Sequence, residues 1–325
     1  MTVLFPANLA ALEAQLVAGL AAVEERLRAE IKSDYELADI TARHLVEAGG
    51  KRFRPLMVLL ASQFGNPNAS GVIPSAVVVE LTHLATLYHD DVMDEATVRR
   101  GTESANSRWG NTIAILSGDF LFARSSKILA DLGPEAVRIQ AQTFERLVIG
   151  QLRETTGPVN GEDPVQHHLD VLAGKTGSLI AAAGRYGALM SGVSAELTER
   201  IAQFGENIGI AFQLSDDLLD IQSNNSGKTP GTDLREGIKT LPVLLALADP
   251  ITTPRLRELL NKPLTDDAEH TEALKALRAH PAMDKAHDVL MHWTEKARAE
   301  LSDFPEGEAK SALFTLCDSV ANRDV

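Results

Sequence analysis

Two clusters of aspartates are the residues whose types and spacing point most directly to chemistry. Each follows the pattern DDxxD: Asp90, Asp91 and Asp94 in the first, and Asp216, Asp217 and Asp220 in the second. Residues four apart on a helix have Cβ atoms ~5–6 Å apart, so the first and last aspartates of each cluster share one helical face. Carboxylate oxygens on one face suit a hard cation such as Mg²⁺, with coordination positions left for a substrate phosphate.

A solvated acidic face is the alternative interpretation of either cluster. One DDxxD pattern carries little weight in a chain with 45 acidic residues. The pattern occurs twice, however, and both copies follow nearly uncharged runs, at residues 77–88 and 208–214. Such runs are typical of buried helices. We therefore expect the carboxylates to face a cavity.

Basic residues near glycines predict sites for phosphate groups. Residues 49–55 read GGKRFRP, and flexible backbone with free N–H groups before a helix favours anions. Arg99-Arg100, Lys175-Thr176 and Lys228 are further candidates, because arginine can grip phosphate oxygens with two hydrogen bonds and lysine makes a point contact. Taken singly, each is more safely interpreted as an ordinary solvated basic residue.

The elements that position these residues are predicted to be helices. Helical periodicity recurs along the chain, alternating runs bounded by hairpin turns are missing, and even Val77-Val78-Val79 continues into a long helical run. We expect an all-α fold with about a dozen helices in a single domain, residues 1–325, because no run of linker composition divides the chain. The polar segment 223–232 is interpreted as a lid.

Composition limits the classes of function. A net charge of −14 and a pI near 5.1 argue against nonspecific nucleic-acid binding, which needs a basic surface. The single cysteine, Cys317, rules out a disulfide within the chain, makes a zinc site implausible and fits a cytoplasmic protein. The N-terminal run 1–27 is predicted to be an amphipathic helix, and no uncharged stretch reaches the ~20 residues of a membrane-spanning helix. Membrane contact should be peripheral at most.

Five ordered segments resemble the trans-isoprenyl diphosphate synthases, the polyprenyl synthetase family. They are GGKRFRP, HDDVMDEATVRRG, GKTGSL, FQLSDDLLD and GKTPGTDLREG. The resemblance implies a homodimeric, single-domain bundle of mostly antiparallel helices around a deep central cavity. It also implies an Mg²⁺-dependent prenyltransferase that condenses isopentenyl diphosphate head-to-tail with an allylic diphosphate, giving an all-trans polyprenyl diphosphate.

The resemblance also assigns roles to individual residues. Asp90 and Asp94 would hold two Mg²⁺ ions, and Asp216 would lead a third site. Asp91 belongs to the first metal set, and Asp217 and Asp220 would support the third metal through water. The allylic diphosphate would be gripped by Arg99, Lys175 and Lys228. The site for isopentenyl diphosphate would comprise Gly50, Lys51, Arg54, His83 and Arg100, with Phe212 on the hydrocarbon part. Thr176 and Gln213 would face the reacting carbons, and Arg323 resembles the family's C-terminal arginine.

Two further features concern specificity. Ala85 and Thr86 lie one turn before the first cluster, where short-chain members of the family have a bulky aromatic residue. Small residues there leave the product tunnel open, so a product of C30 to C50 is expected, with C20 possible. Its floor would comprise Val78, Leu81, Thr82, Phe120 and Phe122. The chain departs from the family at Ile238, where many members have lysine. On a helix Lys239 would point about 100° away, so neither residue is assigned a diphosphate contact.

Three other functions compete with this interpretation. A class I terpene cyclase would share the fold and the first cluster, but it would not need GGKRFRP or a second DDxxD cluster. A noncatalytic or partner-dependent subunit of a two-component synthase is a second alternative, although such subunits lose aspartates that this chain retains. A metal-dependent phosphohydrolase would need a positioned water and a base, which the pattern does not suggest.

Overall fold

The computed structural model describes residues 9–159, 161–222 and 230–323, and within them the chain is almost entirely helical. The first helices are α1 (Ala10–Glu30), α2 (Glu36–Glu47), α3 (Phe53–Ser62), α4 (Val72–Met93), α5 (Ala105–Trp109), α6 (Asn111–Leu132), α7 (Pro134–Thr156) and α8 (Pro164–Leu172). A π-helical turn, Ala173–Gly177, follows α8. The remaining helices are α9 (Ser178–Ser191), α10 (Ala195–Gln222), α11 (Thr232–Glu236), α12 (Leu241–Ala248), α13 (Pro254–Leu259), α14 (Asp267–Arg278), α15 (Ala282–Glu300) and α16 (Glu308–Ala321). The all-α prediction is confirmed.

Two compact units make up the chain. The first contains residues 1–144, 179–205 and 303–313, and the second contains residues 145–178, 206–302 and 314–325. The division therefore falls within α7, α9, α10 and α16. The first aspartate cluster belongs to the first unit and the second cluster to the second. A single domain over the whole chain stays a prediction.

Helix α4 lies in the core of the first unit, where it packs against α1, α3 and α6. Val77, Val78 and Val79 are fully buried in it, so burial outweighs the preference of β-branched residues for strands. Helix α9 also packs closely against α3 in this unit, since a Cβ on Gly187 of α9 would lie 2.1 Å from the carbonyl oxygen of Val58 in α3. The apolar run therefore forms the helix that the sequence predicts.

The second unit is organised around the short apolar helix α12, which packs against α8, α14 and α15. Helix α8 begins with Pro164, and the Asp163 side chain accepts hydrogen bonds from the Val165 and Gln166 amides at 2.8 and 3.0 Å. Such capping satisfies amide groups that have no partner inside the helix. Among the described residues, no helix combines the length and apolar character that crossing a membrane requires.

A small hairpin, which the sequence analysis did not predict, is the one β element in the described ranges. Strands β1 (Val98–Arg99) and β2 (Thr102–Glu103) pair antiparallel. Arg100 and Gly101 form the two-residue turn with φ values of 53° and 76°. Positive φ at both central residues defines a type I′ turn, which matches the twist of paired strands. Two-residue strands are too short to show an alternating pattern.

Candidate active site

The first aspartate cluster occupies the C-terminal end of α4. Asp90 is partly exposed, Asp94 is 53% exposed, and Asp91 between them is fully buried. The last turn of α4 contains no basic residue. Negative charge at a helix C-terminus is unfavourable, because the helix dipole is negative there. The arrangement thus concentrates negative potential where a cation could bind.

The hairpin brings Arg99 onto this cluster. Its Nε donates to Asp91 Oδ1 at 2.5 Å, and its Nη2 lies 3.8 Å from Asp94 Oδ2. Burial raises the pKa of the Asp91 carboxyl, and the hydrogen bond and charge of Arg99 oppose that rise. The second oxygen of Asp91 is buried and has no hydrogen-bond partner. Asp91 therefore holds the hairpin in place, whereas Asp90 and Asp94 are the more accessible carboxylates.

A buried carboxylate that the sequence analysis missed organises the neighbouring basic residues. Glu80 on α4 is 2% exposed and accepts a hydrogen bond from Arg52 Nη1 at 2.7 Å, while Arg100 Nη2 lies 3.9 Å away. Arg100 also donates to the carbonyl oxygens of Leu45 and Gly49. A charged residue inside the apolar run of α4 was the available signal, since buried charges need partners.

Two members of the predicted isopentenyl diphosphate site have shifted pKa values in this basic cluster. Burial lowers the pKa of Arg54 to about 10, and its Nε is buried without a partner. Burial, followed by the charges of Arg54, Arg100, Arg52 and Arg99, lowers the pKa of His83 well below its usual value. A neutral histidine and an unpaired guanidinium donor are the groups that a bound anion would satisfy.

Backbone conformation also points to a functional site at the first aspartate cluster and the neighbouring basic cluster. Only three non-glycine residues with positive φ occur in the described ranges: Arg52, Glu95 and Arg100. Strained residues of this kind cluster at functional sites. At Gly50, with φ 154°, a Cβ would lie 2.9 Å from Cζ of Arg100, so a side chain there would displace the guanidinium group. Lys51 is exposed beside it.

The second aspartate cluster lies in the last two turns of α10, which also lack a basic residue in the final turn. Asp216 pairs with Arg323, whose Nη1 is 2.5 Å from Oδ1. The Arg323 guanidinium also lies over the Phe212 ring, 4.6 Å from its centroid. Arg323 and Phe212 thus meet at Asp216, which sequence spacing could not indicate.

The other two aspartates of this cluster are bound to the protein. Asp217 Oδ2 contacts His168 Nε2 at 2.9 Å and accepts from the Leu241 amide at 3.3 Å. The two oxygens of Asp220 accept from the amides of Thr232 and Asp233 at 3.1 and 3.2 Å. The sequence analysis missed His168, although its position in α8 beside a second histidine was visible. Asp217 and Asp220 as supports of a metal through water stay predictions.

The π-helical turn presents Lys175 and Thr176. Lys175 Nζ lies 2.5 Å from Glu154 Oε2. A Cβ on Gly150 would be 2.7 Å from the Lys175 amide nitrogen, and Gly174 is similarly close to Gly150. Single π-helical turns inside helices are frequent at functional sites. Gly150, which the sequence analysis did not single out, therefore allows α7 to approach the turn that bears Lys175.

Lys228, the proposed lid and the Ile238-Lys239 segment are the remaining features that the sequence analysis discussed. Lys228 and most of the proposed lid lie outside the described residues. The helix on which Lys239 was expected ends earlier, because α11 stops at Glu236 and Gly237 has φ 76°. Lys239 Nζ donates to Asn261 Oδ1 at 2.9 Å, and Ile238 is 48% exposed.

The predicted chain-length positions lie on α4 above a polar network. Ala85 is fully buried and Thr86 is partly exposed. One turn earlier, the Thr82 hydroxyl accepts from Gln140 Nε2 at 2.8 Å and lies 3.4 Å from Ser125 Oγ. Thr82 was expected in the floor of the tunnel, and this network joins it to α6 and α7. The other proposed floor residues, Val78 and Leu81 on α4 and Phe120 and Phe122 on α6, stay predictions.

The donor set fits a hard divalent cation whose shell is completed by substrate. All six candidate ligands carry carboxylate oxygens, the ligand type that Mg²⁺ prefers. In the described part of the chain, no three His, Cys, Asp or Glu side chains converge closely enough to hold a metal by themselves. Mg²⁺ usually takes one or two carboxylates together with substrate phosphates. Asp90, Asp94 and Asp216 are the residues that could hold it here.

Comparison with known proteins decides the family. The family model for polyprenyl synthetase matches residues 36–277, most of the chain and all the segments that carry the resemblance. The chain belongs to the polyprenyl synthetase family. Nonaprenyl diphosphate synthase of Mycobacterium tuberculosis is 50% identical over 310 residues, which cover 94% of this chain and 92% of that protein.

Solved structures of polyprenyl synthetase relatives agree. A geranylgeranyl pyrophosphate synthase from Corynebacterium glutamicum, complexed with calcium and isoprenyl diphosphate, has a TM-score of 0.87 at 45% identity and covers 96% of this chain and 97% of that chain. A decaprenyl diphosphate synthase from Rhodobacter capsulatus also has a TM-score of 0.87, at 32% identity, with coverage of 97% and 99%. The predicted enzyme class is confirmed: the chain is a trans-prenyltransferase.

Proposed function

We propose that the chain elongates an allylic diphosphate with isopentenyl diphosphate units to an all-trans polyprenyl diphosphate of C30 to C50, with C20 as the shorter limit. One observation carries the proposal. In the first unit, the acidic end of α4 lies beside the basic cluster around Glu80, and Arg99 and Arg100 of one hairpin reach the two groups separately. A metal-binding site and an anion-binding site side by side suit two diphosphate substrates.

The acidic groups are assigned to three Mg²⁺ ions. Asp90 and Asp94 hold two of them, and Asp216 holds the third, with Asp217 and Asp220 in support. When bound, the metal ions neutralise the leaving diphosphate as the allylic C–O bond ionises. Asp91 acts through Arg99, since the two side chains hold each other at 2.5 Å beside the accessible carboxylates.

The basic groups orient the two substrates. Arg99, Lys175 and Lys228 grip the allylic diphosphate, and Lys175 must first leave Glu154, its partner at 2.5 Å. Residues Gly50, Lys51, Arg54, His83 and Arg100 bind isopentenyl diphosphate, and Phe212 packs against its hydrocarbon part. Holding the double bond in one pose near the allylic carbon is an orientation effect worth up to ~7–11 kcal/mol.

Charge and water are controlled by groups that are not themselves alkylated. Thr176, on the π-helical turn, and Gln213, on α10, are partly buried. Their oxygen atoms and nearby backbone carbonyls stabilise positive charge on the reacting carbons. The released diphosphate takes the proton that is lost last. Excluding water protects the cation from hydrolysis.

Product length is assigned to α4. Ala85 is a small residue one turn before Asp90, which leaves room for a growing chain. Each helical turn adds about 5.4 Å of depth, or about one isoprene unit. The network of Thr82, Gln140 and Ser125 is the next polar barrier along α4. Relatives with equal TM-scores differ in product between geranylgeranyl and decaprenyl diphosphate, so side chains of this kind, not the fold, set the length.

A homodimeric, single-domain cytoplasmic enzyme completes the proposal. Helix α7 leaves Val148, Ile149 and Leu152 at 40%, 48% and 58% exposure, one apolar stripe on its surface. An exposed apolar stripe of this kind suits a protein interface. Analytical ultracentrifugation of the wild type and of a Leu152→Glu variant tests the dimer. A wild-type monomer would contradict it.

The experiment for the activity combines purified chain, Mg²⁺, labelled isopentenyl diphosphate and, in separate reactions, geranyl, farnesyl or geranylgeranyl diphosphate. We expect a ladder of products that ends at one length between C30 and C50. The Asp90→Asn variant, which keeps the shape of the side chain, should lose turnover and keep the circular dichroism spectrum. No extension with any primer would contradict the proposal and favour a subunit that needs a partner. A cyclic hydrocarbon would favour a cyclase.

A further inference from the structure

We infer that Arg323 and Mg²⁺ compete for the carboxylate of Asp216, so that metal binding at the second cluster releases the C-terminal end of the chain. The inference rests on the proposed metal role of Asp216. It adds a residue outside the two aspartate clusters that controls when the metal site can fill.

The Arg323 contact occupies one of the two oxygens with which Asp216 could bind a metal. Arg323 Nη1 lies 2.5 Å from Asp216 Oδ1, and the two side chains are 18% and 43% exposed. Arg323 follows the end of α16 by two residues, so its backbone is not fixed within a helix. The guanidinium group also covers the Phe212 ring at 4.6 Å. A half-exposed ion pair near a helix end can exchange readily.

The other two aspartates of the cluster are held in a different way. The Asp217 carboxylate contacts His168 and the Leu241 amide, and Asp220 accepts from the amides of Thr232 and Asp233. Backbone amides between elements of the fold cannot leave without local unfolding. Among the contacts described for this cluster, that of Asp216 is therefore the one made by a side chain that follows the end of a helix.

Charge disfavours simultaneous binding of Arg323 and a metal ion at Asp216. A Mg²⁺ ion binds a carboxylate oxygen at about 2.0–2.1 Å. A guanidinium nitrogen on the same oxygen would then lie within about 4–5 Å of a double positive charge, and the two would repel strongly. Departure of Arg323 also uncovers Phe212, which is proposed to pack against the second substrate. Metal and substrate binding would thus favour each other, as linkage requires.

Direct metal binding tests the competition. Free Mn²⁺, a paramagnetic substitute for Mg²⁺, is counted by electron paramagnetic resonance during titration of the intact chain. The variants are Arg323→Gln and the matched control Arg298→Gln, which removes the same charge from an arginine paired with Asp318 on α16. We expect Arg323→Gln to bind Mn²⁺ about threefold more tightly than the control, since a half-exposed pair contributes little more than that. In an Asp216→Asn background the gain should vanish.

Hydrogen exchange of the C-terminal peptide gives a second readout. In the wild type, Mg²⁺ with inorganic diphosphate should speed amide exchange in residues 318–323, and in Arg323→Gln exchange should be fast from the start. Equal Mn²⁺ affinity in Arg323→Gln and Arg298→Gln, or slower exchange on adding Mg²⁺, would overturn the competition alone. Failure of every form to bind Mn²⁺, both alone and with inorganic diphosphate, would overturn both this inference and the proposed metal role of Asp216.

Discussion

Glu80 gives the most demanding prediction, because it is a buried carboxylate that compensates several arginines at once. It is 2% exposed, its partner Arg52 is 7% exposed, and Arg100 lies 3.9 Å away. Glu80→Gln keeps the shape of the side chain and one hydrogen-bond acceptor but removes the charge. Breaking a buried ion pair from one side costs about 3–5 kcal/mol. Arg52 also pairs with Glu24, and the glutamine retains one acceptor, so this variant should lose about 3 kcal/mol at most. Total stability is typically about 5–15 kcal/mol.

Urea unfolding followed by circular dichroism measures that loss. The matched control is Glu135→Gln, whose side chain is 56% exposed and pairs with Arg138 within one helix. An exposed pair contributes about 0–1 kcal/mol, so the control should unfold almost like the wild type.

Inorganic diphosphate supplies a second, independent measurement on the same variant. Without Glu80 the basic cluster carries more net positive charge, so diphosphate should stabilise Glu80→Gln more than it stabilises the wild type. Glu80→Gln unfolding at the same urea concentration as Glu135→Gln, with equal diphosphate stabilisation, would refute the role given to Glu80.

Three further predictions concern other parts of the site. Burial and the surrounding arginines lower the pKa of His83 below 6.5, so on acidification this histidine gains a proton in the unfolded chain before it does in the folded chain. The free energy of unfolding should therefore fall as the pH drops below about 6.5, by up to about 1.4 kcal/mol per pH unit. Urea unfolding at pH 7, 6 and 5 should show a shallower loss for His83→Gln, and identical slopes would contradict the shift. Ala85→Phe should shorten the product by at least one isoprene unit, as measured by reversed-phase chromatography. An unchanged product length would contradict the proposal that α4 sets the length. Gly150→Ala places a Cβ 2.7 Å from the Lys175 amide nitrogen, so we expect the free energy of unfolding in urea to fall by about 1–3 kcal/mol and turnover to slow. Wild-type values in both assays would show that α7 can move aside at no cost.

Local sequence determined the helical fold and the chemical nature of the site. Apolar spacing is a property of neighbouring residues, so the run through Val77–Val79 could be predicted as a helix, and α4 contains it. The spacing of Asp90 and Asp94 likewise fixes a shared face once a helix forms. The ordered segments from GGKRFRP onwards were sufficient for the family and the enzyme class, both of which the comparisons confirm.

Only the tertiary structure decided which charges meet. Glu80 lies 28 residues from Arg52, His168 lies 49 residues from Asp217, and Arg323 lies 107 residues from Asp216. Spacing along the chain cannot indicate contacts at such separations, because they depend on how the helices pack. The hairpin that directs Arg99 towards Asp91 and Arg100 towards Glu80 could not be predicted either, because two-residue strands leave no alternating pattern in the sequence. Sequence therefore determined which groups are candidates for the chemistry, and packing determined the partners that hold them.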